Sequence, residues 1–132
     1  MHKVIYSQEA PRPAGVYSQA IVADSFVFVS GQGPANPATR QMELGDFRNQ
    51  VRRTLRNVRA ILEASGSSLN DVVRIGVYLA EMSDFAALNE VFLEFFPENP
   101  PARTTIGVVL PLAGMKVEID CIARVRKPKG QR

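Results

Sequence analysis

The chain has 132 residues, of which 45% are hydrophobic and 22% charged, and its formal net charge is +3. These values are typical of one globular domain spanning residues 1–132, and they exclude a disordered or collagen-like chain. Because the sequence holds one cysteine, one histidine and no long apolar stretch, we expect a cytoplasmic protein without a disulfide framework, a metal site, a histidine-based triad or a membrane span.

The first 45 residues carry short β-rich segments separated by turn residues. Lys3–Tyr6 is predicted to be a strand, and Tyr17–Ala23 and Phe26–Ser30 are predicted to form a hairpin because two turn residues separate them. Residues 31–45 hold several glycines and prolines, which predicts a loop.

Two amphipathic helices follow in the central part of the chain. Asp46 is a suitable N-cap for the first helix, which is predicted to end near Ser65. The second helix is predicted to begin after Ser83 or Asp84, and Pro97 ends it. Their apolar stripes recur at helical spacing and comprise Phe47, Val51, Leu55, Val58 and Leu62 in the first helix, and Phe85, Leu88, Phe92 and Phe95 in the second.

Three further strands are predicted at Val72–Ala80, Thr104–Val109 and Lys116–Val125. The second and third of them are joined by a short loop. A strand followed by a helix and another strand implies at least one parallel crossover. The element order therefore predicts an α+β fold, in which a mixed β-sheet carries two helices packed on one face.

Several predicted strands are apolar on both faces, which two helices alone cannot cover. Phe26 and Phe28 alternate with Val27 and Val29, and residues 72–80 show a similar pattern. A strand that is apolar on both faces is usually buried on both faces. We therefore expect a homo-oligomer in which another copy covers the face opposite the helices.

The last two strands are predicted to form an antiparallel pair in which Ile106 lies opposite Ile119. This register keeps the apolar residues of both strands on one face. The residues between them then share the face away from the helices, and Gly107 lies opposite Glu118. The predicted cluster comprises Arg103, Thr105, Gly107, Glu118 and Asp120.

Two interpretations of this cluster remain open. Arg103 pairs with Glu118 or Asp120 in a structural ion pair, or it clamps the carboxylate of a small substrate while Glu118 handles a proton or a water molecule. Thr105 is either a ligand-binding hydroxyl or an ordinary β-branched strand residue.

Other candidate residues favour structural roles when taken alone. Tyr17 is typical of a cross-strand aromatic, Ser30 of a turn residue, and Cys121 of a buried apolar side chain. The arginines near residues 48–59 and the basic tail at 124–132 are predicted to be solvated surface. No aromatic residues alternate with them, which argues against a nucleic-acid partner.

Four segments, in this order and spacing, resemble the RidA/YjgF family of reactive intermediate deaminases. They are YSQA (17–20), VSGQ (29–32), PPARTTIG (100–107) and KVEIDCIA (116–123). The resemblance extends from about Val4 to Val125. It implies a chorismate-mutase-like fold and a homotrimer with three clefts between subunits. It also implies cofactor-independent hydrolysis of 2-enamino or 2-imino acids, such as 2-aminoacrylate, to 2-keto acids and ammonia.

The resemblance also assigns roles to individual residues. It implies that Arg103 binds the substrate carboxylate and that Glu118 positions or activates water. Tyr17, from the adjacent subunit, Ser30 and Thr105 match positions that line the cleft. The sequence departs from the family pattern at Val16, where proline is frequent, and at Thr105, where cysteine is frequent. The second departure excludes thiol chemistry at that position.

Two other functions are compatible with the same residues. A non-catalytic regulator that binds a small carboxylate would also use Arg103, although it would gain nothing from a second carboxylate such as Glu118. An RNA-binding or endoribonuclease-type member would use the basic segments, but the lone histidine and the lack of a basic-aromatic surface argue against it.

Overall fold

The computed structural model describes residues 2–126, which form a six-stranded mixed sheet with two helices on one face. The strands are β1 (His2–Ile5), β2 (Ala20–Ala23), β3 (Phe26–Gln32), β4 (Val72–Leu79), β5 (Ala102–Gly107) and β6 (Val117–Arg124). The helices are α1 (Phe47–Ala64) and α2 (Phe85–Phe95), with short 3₁₀ turns at Leu69–Asp71 and Met82–Asp84. The predicted fold class is confirmed, whereas most of the predicted basic tail, residues 127–132, lies outside the described residues.

Helix α1 begins and ends as predicted. The Asp46 carboxylate accepts a hydrogen bond from the backbone N–H of Asn49 at 2.9 Å, which satisfies one free donor of the first turn. The apolar stripe of α1, including Val51 and Leu55, is buried in the core. Ser65 is the C-cap of α1, and Gly66 follows with φ of +78°, a left-handed conformation that glycine adopts without steric cost.

Helix α2 differs from the prediction in its cap and in one face. Asp84 precedes it, but its side chain makes no capping hydrogen bond, and the 3₁₀ turn leads directly into the helix. Leu88 and Phe92 are buried as predicted, whereas Phe85 is 42% exposed. Phe85 is therefore not a core residue.

The basic face of α1 is partly neutralised by α2. Arg48 pairs with Glu90 at 3.0 Å and Arg52 pairs with Glu94 at 2.8 Å. These exposed pairs link the two helices, and each contributes little to stability. Neither helix among residues 2–126 is long and apolar enough to cross a membrane.

The strand order is β1-β2-β3-β6-β4-β5, so the predicted pairing of the last two strands is wrong. Strand β4 lies between them, antiparallel to β6 and parallel to β5. The reason is the crossover through α2, because a strand that returns after a helix enters parallel to the strand before the helix. Strand β6 then pairs along the other edge of β4.

This order places Glu118 and Asp120 on the open face, the sheet face opposite the helices. Both alternate along β6 with buried residues of the core, such as Ile119. Across the pair with β4, Glu118 lies opposite Tyr78, and Asp120 lies opposite Gly76. The predicted position of Gly107 opposite Glu118 is therefore wrong, and Tyr78 occupies that position.

The same order places Arg103 and Thr105 on the face that carries the helices, contrary to the prediction. In the parallel pair, Arg103 lies beside Ile75 and Thr105 beside Val77. Both neighbours are fully buried in the core under the helices. The cluster predicted on one face is thus divided between the two faces of the sheet.

The open face carries exposed apolar side chains, as the two-sided strand pattern predicts. Phe26 and Phe28 are 39% and 45% exposed, whereas the alternating Val27 and Val29 are buried under the helices. Large apolar side chains in this position are typical of a face that binds another protein surface. The predicted homotrimer would cover it.

Candidate active site

A cavity of about 330 Å³ on the open face is lined by Glu118, Tyr17, Ser30 and Gly31. Three of the candidate residues, Tyr17, Ser30 and Glu118, therefore lie together within one chain. They come from the segment before β2, from β3 and from β6, and the pairing of β3 with β6 brings the second and third together. We call this set the carboxylate half-site.

Gly31 provides the space that Glu118 occupies. A methyl group at position 31 would overlap the Glu118 carboxylate, so any larger residue would displace Glu118 from this position. Gly31 lies within the VSGQ segment but was not predicted to be a site residue. The available signal was its place directly after Ser30 in a β-strand, where glycine often marks a close approach.

Backbone hydrogen bonds fix the other two side chains of the carboxylate half-site. The Tyr17 hydroxyl accepts a hydrogen bond from the backbone N–H of Ala14 at 3.0 Å. The Ser30 hydroxyl donates to the carbonyl oxygen of Ser18 at 2.6 Å, which leaves its lone pairs free to accept a proton donor. Tyr17 therefore lies before β2 and is not a cross-strand residue, and Ser30 lies within β3 and not in a turn.

A buried amide anchors the loop that precedes Tyr17. The Gln19 side chain is 1% exposed, accepts from the backbone N–H of Ser7 at 2.6 Å and donates to the carbonyl oxygen of Pro11 at 2.9 Å. A fully satisfied buried amide of this kind fixes the local backbone. Gln19 therefore holds the loop against the sheet next to the cavity.

Partial burial raises the pKa of Glu118, and the nearby negative charge of Asp120 raises it further. Asp120 in turn accepts a hydrogen bond from the Tyr78 hydroxyl at 2.8 Å, and this bond raises the pKa of Tyr78. Gly76 makes this arrangement possible because a methyl group there would overlap the Asp120 carboxylate. Glu118 is thus a stronger base than an exposed glutamate.

Arg103 lies against α2 and carries no ion pair. Its guanidinium carbon lies 4.9 Å from the ring centre of Phe92 and 5.5 Å from that of Phe85. One Nη atom donates to Oδ1 of Asn89 at 2.7 Å. Desolvation lowers the pKa of Arg103.

The structural ion pair considered for Arg103 does not form. None of the three ion pairs among residues 2–126 includes it, since Glu118 and Asp120 lie on the other face of the sheet. Four of its five N–H donors are left for an anion, and two of them can hold a carboxylate side by side. We call Arg103, with its neighbours on α2, the guanidinium half-site.

The remaining candidate residues have simple surroundings. Thr105 is half-buried two positions after Arg103 on the same face of β5. Cys121 is 4% exposed, and burial raises the pKa of its thiol to about 12, so the prediction of a buried apolar side chain is confirmed. Within residues 2–126, no three His, Cys, Asp or Glu side chains group together to hold a metal ion.

Comparison with known proteins agrees with this architecture. The family model of Endoribonuclease L-PSP matches residues 7–125. A RutC family protein of Pyrococcus horikoshii is 47% identical over 123 residues, which are 93% of this chain and 98% of that protein. The crystal structure of Escherichia coli TdcF with bound serine has a TM-score of 0.87 at 39% identity, covering 95% of this chain and 99% of that one.

The chain belongs to the RidA/YjgF family. The resemblance predicted from the sequence is therefore confirmed. The family also includes a 2-iminobutanoate/2-iminopropanoate deaminase of Dermatophagoides farinae, which is 38% identical over 120 residues, 91% of this chain and 94% of that protein.

Proposed function

We propose that the protein hydrolyses 2-imino acids, and the 2-enamino acids that form them, to 2-keto acids and ammonia. The observation that carries this proposal is the pair of half-sites. One offers an unpaired cation for a carboxylate, and the other offers a strengthened base. Relatives named as deaminases of this substrate class support it.

We propose further that the complete site lies between copies of the chain, in a homotrimer. Arg103 and Glu118 lie on opposite faces of the sheet, so one copy alone does not present both to a small molecule. Arg103 belongs to β5, which is the edge strand of the sheet and is therefore accessible to a neighbouring copy. A neighbour that brings its open face against this edge would complete the site.

In the proposed mechanism, Arg103 holds the substrate carboxylate through two parallel hydrogen bonds. The substrate reacts as the protonated imine. Glu118 accepts a proton from a water molecule, and the oxygen of that water bonds to the imine carbon while the π electrons of the carbon–nitrogen bond move to nitrogen. The resulting tetrahedral carbon carries a hydroxyl and an amino group. Transfer of the Glu118 proton to this amino group makes it a leaving group. As the carbon–nitrogen bond breaks and its electron pair stays on nitrogen, the hydroxyl proton passes to the Glu118 carboxylate, which leaves the keto acid. The released ammonia takes up this proton, and Glu118 is ready for the next turnover.

Tyr17, Ser30 and Thr105 complete the proposed site. The Ser30 hydroxyl oxygen and the Tyr17 ring border the same cavity as Glu118, where they would orient the water and the imine. Thr105, beside Arg103 on β5, would line the carboxylate end. Because Thr105 has no thiol, the reaction proceeds by general base catalysis without a covalent sulfur intermediate.

The second candidate function is a non-catalytic protein that binds a small carboxylate. Arg103 supports this function as well, and Escherichia coli TdcF binds serine in its crystal structure. The discriminating residue is Glu118, because a carboxylate beside a bound anion weakens binding unless it serves the reaction. Nucleic-acid binding is less well supported, because α2 pairs with two arginines of the basic helix.

The decisive experiment measures keto-acid formation from 2-aminoacrylate generated in situ by a dehydratase, with and without the protein. We expect a clear acceleration by the wild type. Glu118→Gln should lower kcat on the order of 10²-fold or more, as expected for a lost general base, with binding of the keto-acid product retained. Glu63→Gln, on the exposed surface of α1, is the matched control and should leave the rate unchanged.

The result also separates the two candidate functions. No acceleration by the wild type, together with measurable keto-acid binding, would identify a binding protein. An equal loss of rate and of keto-acid binding in Glu118→Gln would show that this carboxylate has a structural or binding role.

A further inference from the structure

A largely apolar groove of about 370 Å³ lies beside Arg103 and is not used by the mechanism above. Its apolar wall consists of Phe92, Leu93, Phe96 and the Pro100–Pro101 pair, and its polar atoms come from Arg103 and Asn89. It therefore has an apolar body next to a cation that lacks a carboxylate partner. We call it the α2 groove.

The walls of the α2 groove are held in place by the fold. The rings of Phe92 and Phe96 lie 5.3 Å apart, and both residues are buried. Two consecutive prolines restrict the backbone on the other side. Leu93, in contrast, is 68% exposed. A rigid apolar concavity that leaves a large aliphatic side chain in water is typical of a small-molecule site.

We propose that the α2 groove binds the side chain of the substrate whose carboxylate is held by Arg103. This inference rests on the proposed function, and it specifies the substrate class. The preferred substrates are 2-imino acids with branched aliphatic or aromatic side chains, such as those formed from leucine or phenylalanine. 2-Aminoacrylate and the imino acid of alanine are poorer substrates.

Size and charge both support this assignment. At about 370 Å³, the α2 groove is large enough for a side chain the size of that of leucine or phenylalanine. Such a substrate carries an anion and an apolar group on adjacent carbons. It would therefore pair with Arg103 and remove the exposed surface of Leu93 from water in the same binding event.

Val16 of a second copy is the competing occupant, because this residue is fully exposed and apolar. A valine side chain brings no negative charge to Arg103. The unpaired guanidinium therefore favours a carboxylate-bearing small molecule.

The first test compares substrates. An amino-acid oxidase generates imino acids from L-leucine, L-phenylalanine and L-alanine, and the protein is assayed for faster keto-acid formation or reduced semicarbazide trapping. We expect kcat/KM to be about tenfold higher for the two larger substrates, the discrimination that one well-filled apolar pocket provides. Leu93→Gln should abolish most of this preference by lowering kcat/KM for the two larger substrates.

Leu112→Gln is the matched control, because Leu112 is 49% exposed and does not line the α2 groove. It should retain the full preference. Both substitutions lie on the surface, so folding is retained. Equal kcat/KM values for all three substrates in the wild type would overturn the proposal. So would a Leu93→Gln variant that keeps the wild-type preference.

The second test measures binding without turnover, so that failure of the proposed function can be distinguished from failure of the groove assignment. Calorimetry compares 4-methyl-2-oxopentanoate with pyruvate. About tenfold tighter binding of the larger keto acid, lost in Leu93→Gln, supports the groove even if no imino acid is hydrolysed. If Leu93→Gln instead dissociates the oligomer while the two affinities stay equal, the groove belongs to a second copy and the proposal is wrong.

Discussion

The two half-sites are built in different ways, although one reaction is expected to use both. The carboxylate half-site lies on the open face, where main-chain groups fix Tyr17 and Ser30, and a glycine makes room for Glu118. The guanidinium half-site lies at the sheet edge, where two aromatic rings and one amide of α2 hold Arg103. The carboxylate half-site is polar, and main-chain groups hold its side chains. The guanidinium half-site is largely apolar, and side chains of α2 hold Arg103.

The difference shows how a small chain keeps two opposite charges reactive. If Arg103 and Glu118 faced each other within one copy, they would form an ion pair and neutralise each other before a substrate arrived. The sheet separates them instead, so each charge keeps its capacity for a ligand. In the proposed oligomer, a second copy would complete the site and place the substrate between the two charges.

The largest expected effect is the loss of the guanidinium half-site. Arg103→Ala removes two charge-assisted hydrogen bonds to the substrate, each worth about 1.5–3 kcal/mol. We expect kcat/KM for 2-aminoacrylate to fall on the order of 10³-fold. Steady-state assays of keto-acid formation measure this. Arg48→Ala, which removes an exposed pair with Glu90, is the control and should stay within twofold of wild type.

An Arg103→Ala variant with full activity would show that the carboxylate is bound elsewhere. Keto-acid binding by calorimetry gives an independent reading, because it should weaken in parallel with kcat/KM.

The next prediction tests whether the two half-sites meet across copies. Arg103→Ala and Glu118→Gln chains, each nearly inactive, are mixed in equal amounts, unfolded and refolded together. If each site takes Arg103 from one copy and Glu118 from another, about a quarter of the sites in random oligomers combine two intact residues. Activity should therefore recover to roughly a quarter of the wild-type value.

Sites contained within one copy give a different outcome, since no refolded mixture would then recover activity. Light scattering of the wild type accompanies this experiment, and a monomer in solution would contradict the shared site directly.

The sequence predicted the helices and the core far better than it predicted the site geometry. The α1 stripe, including Val51 and Leu55, could be recognised because its spacing is local and the burial follows from it. Strand pairing is not local. Strand β5 pairs with β4 because of the crossover through α2. The sequence-based prediction paired β5 with β6, its neighbour along the chain, and this error placed Arg103 on the wrong face of the sheet.

The surroundings of Arg103 were missed for a related reason. The residues that surround Arg103 recur at spacings of four and three on α2: Phe85, Asn89 and Phe92. The two aromatic residues were predicted to belong to the apolar core stripe, and Asn89 was not considered. The exposed Asn89 between them was the available signal that this helix face contacts a polar partner. The family resemblance placed five residues in one cleft, with Tyr17 supplied by the adjacent subunit: Tyr17, Ser30, Arg103, Thr105 and Glu118. The structure instead brings Tyr17, Ser30 and Glu118 of the same chain together in one cavity.

A smaller effect is expected when Arg103 remains but loses its orientation. Asn89 is a positioning residue, because it accepts a hydrogen bond from the Arg103 guanidinium at 2.7 Å. Asn89→Ala should raise KM about tenfold with little change in kcat, since one hydrogen bond to a charged group is lost and the base is untouched. Asn70→Ala, on an exposed 3₁₀ turn, is the control.

Asn89→Asp gives the sharper contrast within the same experiment. Its carboxylate would pair with Arg103 and compete with the substrate, so KM should rise further than in Asn89→Ala. A lower KM in Asn89→Asp than in Asn89→Ala would contradict the assignment of Arg103 as the carboxylate clamp.

The smallest expected effect concerns the electrostatics of the carboxylate half-site and is visible in the pH profile. Glu118 must be ionised to act as a base, so activity is lost as the pH falls through its pKa. Burial and the Asp120 charge both raise this pKa, which moves the acidic limb of kcat/KM above the range of an exposed glutamate. Asp120→Asn removes the second cause and should shift the limb to lower pH.

The same substitution should lower the plateau rate by roughly a few-fold, because a base of lower pKa accepts a proton less readily. Tyr78→Phe removes the hydroxyl that donates to Asp120 at 2.8 Å but leaves the Asp120 charge in place. Tyr78→Phe should therefore keep the acidic limb at the elevated pH of the wild type, whereas Asp120→Asn should lower it. The control variant Glu63→Gln should leave the pH profile unchanged. If Asp120→Asn leaves the limb at the wild-type pH, Asp120 does not act on Glu118 through its charge, and the strength of this base comes from burial alone.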